Sequence, residues 1–203
     1  MPKQTFFNLS TEKRERIIAV ALQEFKEFDY SKASISRIVA KAGIAKGSFY
    51  QYFSGKKDLF SHIIDLAAEK KLDYLKDVQI GSENRDFFEL LREVYIAGLK
   101  FSRDYPELGE ISDNLMKSKD EKFKEEILGT SMQKSDAFLT ALLQRGAEQG
   151  ELKRGLDFRF IGFIMTRVSI ALGEYAREKE YSERNIGKAI GDLIEMLGSG
   201  LRA

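Results

Sequence analysis

Residues 43–60 read GIAKGSFYQYFSGKKDLF, and their polar members are of the kinds that recognise a phosphate-bearing duplex. Lys46 is a donor to guanine or to phosphate, Ser48 to either, and Gln51 makes a paired contact to adenine where it reaches a base edge. Tyr50 offers a hydroxyl to a phosphate oxygen. Lys56, directly after Gly55, joins an ammonium to the positive end of a helix. Ser34 offers a comparable hydroxyl and amide upstream. Gly47 costs roughly 1 kcal/mol of helix stability relative to alanine, a loss that makes sense where a side chain would hold the helix away from its partner.

No other constellation competes for chemistry. The 203 residues contain no cysteine and a single histidine, His62, which excludes a clustered zinc site and a disulfide framework. Glu125-Glu126 and Asp120-Glu121 sit among lysines as solvated charge pairs, and no glycine-rich phosphate loop occurs. His62 has no nucleophile to pair with and reads as a packing or surface residue. The sequence therefore predicts neither an enzyme nor a cofactor or metal.

Charge is distributed unevenly. The net charge is +1, yet residues 1–60 carry eleven Lys/Arg against six Asp/Glu, which leaves −4 on the rest. A basic amino-terminal part followed by an acidic remainder suits a protein whose first part meets a polyanion. The amino terminus lacks the apolar run of a signal peptide, and no stretch of about 20 residues is free of charge. A cytoplasmic protein with no membrane partner is expected.

The elements that would position the polar set are helices. Apolar residues recur at helical spacing and only two prolines occur, Pro2 and Pro106. Ser10 can cap a first helix whose inward face is Ile17, Ile18, Ala21, Leu22, Phe25 and Phe28. Ser34 can cap a second carrying Ile35, Ile38, Val39 and Ala42, which stops at Gly43, a residue suited to the left-handed turn. A third runs over about 45–53, with Ile44 and Phe49 inward and Phe53 in the core. Further helices are expected at 56–76, 84–104, 106–117, 121–149, 157–178 and 182–199. Two short helices around a glycine turn form a helix-turn-helix, whose second helix enters the major groove.

The run from Ser34 to Phe60, SISRIVAKAGIAKGSFYQYFSGKKDLF, resembles the amino-terminal DNA-binding domain of the TetR family of bacterial transcriptional regulators. The likeness extends over about fifty positions, from the first helix ending in Phe25 and Phe28 through Ala42-Gly43, Lys46-Gly47-Ser48, Tyr50, Phe53 and Lys56…Leu59. Val39 stands where the family usually has alanine, and Tyr52 where histidine is common. The spacing predicts an all-α chain of about nine helices, and the resemblance implies the same architecture. A three-helix DNA-binding domain over 1–55 is expected to precede an effector-binding and dimerisation domain over 56–203. The resemblance also implies a homodimeric repressor on palindromic operator DNA, released by a small molecule, with Ser34, Lys46, Gly47, Ser48, Tyr50, Gln51, Tyr52 and Lys56 facing the DNA. The alternative is a small-molecule carrier with an unused helix-turn-helix.

In the acidic part, Phe88, Leu91, Tyr95, Met116, Phe138, Leu142, Phe163 and Thr166 form an apolar set with a few polar handles, suited to a mainly apolar effector or to a plain core. Arg167, inside the apolar run 158–172, needs a partner. A structural carboxylate, an exposed dimer edge and an acidic effector all answer that need. Ile186, Ile190, Leu193, Ile194 and Leu197 suit a four-helix dimer interface, as the last two helices form in the family, with Gly187 and Gly191 allowing close contact.

Overall fold

A computed structural model describes residues 1–79, 85–116, 118–178 and 183–203. The helix ends expected at 84, 117 and 182 lie outside these residues. Among the described residues ten helices follow one another: α1 (Gln4–Phe7), α2 (Thr11–Glu27), α3 (Ile35–Ala42), α4 (Lys46–Tyr52), α5 (Lys56–Gln79), α6 (Phe87–Asp104), α7 (Pro106–Met116), α8 (Glu121–Glu148), α9 (Phe158–Glu178) and α10 (Glu183–Leu201). The helix that the spacing does not predict is α1, a single turn too short to show periodicity. Among the described residues no helix is long and apolar enough to cross a membrane.

Local chemistry explains the boundaries. The Ser10 hydroxyl accepts the Lys13 amide at the start of α2, as an N-cap should. At the end of α3, Gly43 has φ +66°, and the amides of Gly43 and Ile44 turn back to the carbonyls of Ala40 and Val39. That double return is a Schellman stop, which only a residue tolerant of positive φ makes cheaply. Pro106 opens α7, where its missing N–H goes unneeded.

Packing divides the chain into two compact units, Met1–Glu69 with Tyr105–Ser131, and Lys70–Asp104 with Met132–Ala203. This differs from the expected 1–55 and 56–203. The reason lies in the apolar residues Ile111, Leu115 and Ile127, which join the same core as Ile17, Phe25, Ile38, Phe49 and Phe53. In the first unit α2 packs on α3 and α7, and α1 on α4. In the second, α6 packs on α10 and α9 around Leu91, Val94, Leu142, Leu143, Met165 and Ile190. The turn after α8 pairs with the end of α10, where Lys153 N–H donates to the Leu201 carbonyl at 2.9 Å and Ala203 N–H to that of Glu151 at 3.0 Å.

Candidate nucleic-acid interface

The recognition segment is built on aromatic rings. Phe49 and Phe53 are wholly buried, their ring centroids 5.5 Å apart, and Phe25 behind them is 2 % exposed. Because α4 has only seven residues, Phe49 within it and Phe53 at its carboxy-terminal cap suffice to set its rotation. Opposite them Lys46, Gly47 and Gln51 are exposed and Ser48 is half-buried. Tyr50 is 45 % exposed, its ring standing edge-on to Phe49 at 5.3 Å. A Cβ built on Gly47 would meet nothing within 4 Å. No intramolecular packing requires that glycine, so its bare backbone is available to an approaching surface.

The preceding helix is set by a buried carboxylate that the apolar spacing does not reveal. Glu24 has no solvent exposure. It accepts the Ser34 amide at 2.8 Å and is paired with Arg37, whose Nε lies 2.8 Å and 3.1 Å from its two oxygens. Burial opposes ionisation of Glu24, but the Arg37 hydrogen bond, the Ser34 amide and the Arg37 charge outweigh it and hold the carboxyl below its ordinary value. Arg37 also donates to the Lys32 carbonyl and lies 4.1 Å from the centroid of the Phe28 ring. One sequence signal pointed here: Glu24 is a charge on the inward face of α2, between Ala21 and Phe25. Ser34 holds the N-cap position, but its hydroxyl makes no capping bond and its amide is taken by Glu24.

Two residues expected on the DNA side are placed otherwise. Tyr52 is 7 % exposed and lies with its ring 6.3 Å from Phe6, so it belongs to the core rather than to the outward face. Lys56 turns inward: its ammonium donates to the carbonyls of Tyr30 at 2.5 Å, Ser31 at 3.2 Å and Ala33 at 2.9 Å. Its charge thus closes the turn between α2 and α3 and is not presented to a backbone phosphate. Lys41 and Lys57 are exposed and paired with Glu27 and Glu126 respectively.

Known proteins place this arrangement in a family. The description "Bacterial regulatory proteins, tetR family" matches residues 17–63, the segment from α2 into α5. A TetR family transcriptional regulator from Chloroflexus aurantiacus J-10-FL, known from its crystal structure, is 32 % identical; the match covers 100 % of this chain and 99 % of that one, with a TM-score of 0.67. The chain belongs to the TetR family of transcriptional regulators. The HTH-type transcriptional regulator SrpR of Pseudomonas putida is 28 % identical over 192 residues, 92 % of this chain and 85 % of SrpR. The transcriptional regulator FadR of Bacillus subtilis, solved in complex with stearoyl-CoA, shares 20 % identity over 92 % of this chain and 98 % of that one, with a TM-score of 0.72. At that identity the likeness to FadR is one of fold.

In this TetR-family regulator the residues expected to line an effector site fall into different settings. Phe88, Leu91, Tyr95, Leu142 and Thr166 are buried in the second unit, and Phe138 packs partly against them. Met116 belongs to the first unit, and Phe163 is 44 % exposed, which removes both from that interior set. The Tyr95 hydroxyl is the one buried side-chain polar atom without a hydrogen-bond partner among the described residues. Burial pushes the Tyr95 hydroxyl up to about 12; Ser169 is close enough to pull the other way, but its hydroxyl is donated to the Met165 carbonyl at 2.9 Å. Arg167 has found the structural carboxylate: its guanidinium lies 2.6 Å from Asp136 and 3.7 Å from the centroid of the Phe163 ring. An open cleft of about 460 Å³ on the second unit shares Phe88 with that set and is otherwise lined by Arg92 of α6 and by Gly191, Ile194, Glu195, Gly198, Ser199 and Arg202.

The residues expected at the subunit interface also belong, wholly or in part, to the chain's own core. Ile190 is fully buried within the chain, and Ile186, Leu193, Ile194 and Leu197 pack against the same core. A Cβ on Gly187 or Gly191 would touch nothing within 4 Å, so neither permits a close contact within the chain. The apolar residues left outside are Phe160, Phe163, Ile164 and Tyr175 on α9 and Met196 on α10. The all-round apolar character of α9 in sequence hid which of its faces this would be.

Proposed function

We propose that this regulator binds palindromic operator DNA as a homodimer, inserts α4 into the major groove and represses transcription from the bound site. The observation that carries the reading is the split across α4: Phe49 and Phe53 are wholly buried, while Lys46, Gly47, Tyr50 and Gln51 are exposed on the other side. Lys46 and Gln51 are then the base-reading residues, Tyr50 and the Ser34 hydroxyl the phosphate contacts, and two copies of α4 would sit about 34 Å apart, one turn of the duplex. The exposed apolar residues of α9, with Met196, support pairing with a second copy, because a row of large apolar side chains in water is a common mark of an interface. A cytoplasmic location follows from this role.

The effector proposed is a mainly apolar small molecule held in the second unit, with the Tyr95 hydroxyl as a polar contact. The unpartnered Tyr95 hydroxyl supports this, as does the stearoyl-CoA bound by FadR, a protein of the same fold. Effector release requires that the ligand bind the DNA-free form more tightly than the bound form.

Selection of genomic fragments by the purified protein tests the DNA reading. Enrichment of a palindrome, with affinity falling steeply as salt rises, is expected. Lys46→Ala should then relax the base preference and Tyr50→Phe weaken all sites alike; absence of any enriched fragment overturns the reading. For the effector, calorimetry and thermal-shift measurements with lipophilic compounds should show binding that lowers operator affinity. A Tyr95→Phe variant should lose part of that response.

A further inference from the structure

We infer that residues 3–6 form a positioning arm for α4, holding the carboxy-terminal turn of the recognition helix in the orientation that base reading needs. The inference rests on the operator-reading role of α4 given above and assigns a part of it to residues outside the helix-turn-helix.

The last carbonyls of a helix have no partner within it. In α3 that need is met by the Gly43 stop, but α4 ends differently: its cap residue, Phe53, is extended at φ −130° and ψ 144° and returns only one N–H, to Phe49. The next three carbonyls in a row are taken by the arm. Lys3 Nζ donates to the Tyr50 carbonyl at 2.8 Å, the Thr5 hydroxyl to that of Gln51, and the Lys3 amide to that of Tyr52 at 2.8 Å. The Lys3 ammonium also lies at the negative end of the helix dipole, where a cation is favoured.

The arm is itself anchored. Phe6 is 2 % exposed, with its ring centroid 4.8 Å from Phe53 and 5.6 Å from His62. Arg14 of α2 donates to the Phe7 carbonyl at 2.6 Å, tying the end of α1 to the longer helix. The arm therefore bridges α2, α5 and the far end of α4. Two of the three carbonyls it grips belong to Tyr50 and Gln51, whose side chains point outward. Fixing those peptide planes fixes the direction in which the two side chains leave the helix.

Full-length Thr5→Val and Lys3→Met variants test this on the selected operator, with Thr5→Ser and Lys3→Arg as controls that retain the donors. Expected is a loss of operator affinity of roughly fivefold for each, the scale of one hydrogen bond. The melting temperature should stay nearly constant, amide exchange at 50–53 should speed up, and Thr5→Ser and Lys3→Arg should restore affinity. The dependence of affinity on salt should keep its slope. Unchanged affinity in both variants overturns the inference. So does a slope smaller by about one in Lys3→Met with no effect from Thr5→Val, which would make Lys3 a phosphate contact. Failure of the unaltered protein to bind any fragment would instead sink the operator reading; binding by the unaltered protein with indifferent variants sinks only the arm.

Discussion

The Lys56 ammonium stands 2.5 Å from the carbonyl oxygen of Tyr30 and 4.6 Å from the centroid of that residue's ring. Tyr30 in turn packs at 4.4 Å on Phe123 and 5.1 Å on Phe60. A lysine that the sequence suggests for the phosphate backbone is thus committed to the turn between α2 and α3. Burial lowers its pKa, with the Glu24 charge opposing. Lys56→Met should therefore destabilise the fold by about 1–3 kcal/mol, through lost carbonyl and ring contacts. Denaturant unfolding measures the loss. A salt series on operator binding should show an unchanged slope, whereas loss of a phosphate contact would lower it by about one.

The same substitution should have opposite effects at two glycines. Gly47→Ala meets no neighbour and should raise stability by roughly 0.5–1 kcal/mol. It should nevertheless weaken operator binding by about tenfold or more, the scale of one lost base contact. Gly162→Ala would drive a Cβ into Thr140 Oγ1 and place it 3.1 Å from the Asp136 carbonyl oxygen and the Thr140 amide nitrogen. Part of that obstacle is backbone, so a loss of about 1–3 kcal/mol is expected. Thermal melts of the two variants, read side by side, check both signs.

Glu24→Gln leaves the shape of the side chain but removes the charge that Arg37 and the Ser34 amide share. The expected loss is about 1–3 kcal/mol, since Arg37 remains partly solvated. Because the folded carboxyl titrates below its ordinary value of 4.5, its contribution is present above that pH and is lost as pH falls through the folded value. Unfolding curves at pH 7 and pH 4 should show the unaltered protein losing stability on acidification, and Glu24→Gln losing less.

His62 gives a second pH signature. Burial holds it below its ordinary 6.5, with Asp65, Glu69 and Asp58 pulling upward and the amino terminus pulling downward. The unfolded chain then takes up a proton before the folded one does, so stability falls as pH drops from about 6.5 through the folded value. The decline should shrink in His62→Phe, measured as melting temperature between pH 7.5 and pH 5.5. A protonated imidazole would stand against the rings of Phe6 and Phe53, so the effect should appear first in amide exchange around α1.

Much of the helix-turn-helix is legible in the chain because it follows from local rules. The spacing of Ile17, Ala21 and Phe25 points one face of α2 inward, Gly43 marks the stop of α3, and Phe49 and Phe53 recur at the interval that puts both behind α4. The outward residues of α4 follow by subtraction. What spacing cannot show is where a long polar side chain ends. Lys56 is flexible enough to reach either solvent or the carbonyls at 30–33, and only the folded turn decides. Spacing does not show that Tyr52 is buried, because its cover comes from Phe6, a residue of an element with no period to detect. In the second unit the apolar residues outnumber any one surface, so sequence alone does not sort Ile190, inward, from Met196, outward.

Phe123, Ile111, Leu115 and Ile127 share a core with α2, α3 and α4. Those four come from a stretch separated from the first 69 residues by the whole of α6. During synthesis the amino-terminal segment emerges first but finds its last packing partners only once residue 131 has cleared the ribosome. A nascent chain shorter than this leaves the apolar backs of α2 and α5 without their last cover, the kind of transiently exposed surface that favours association between incomplete chains.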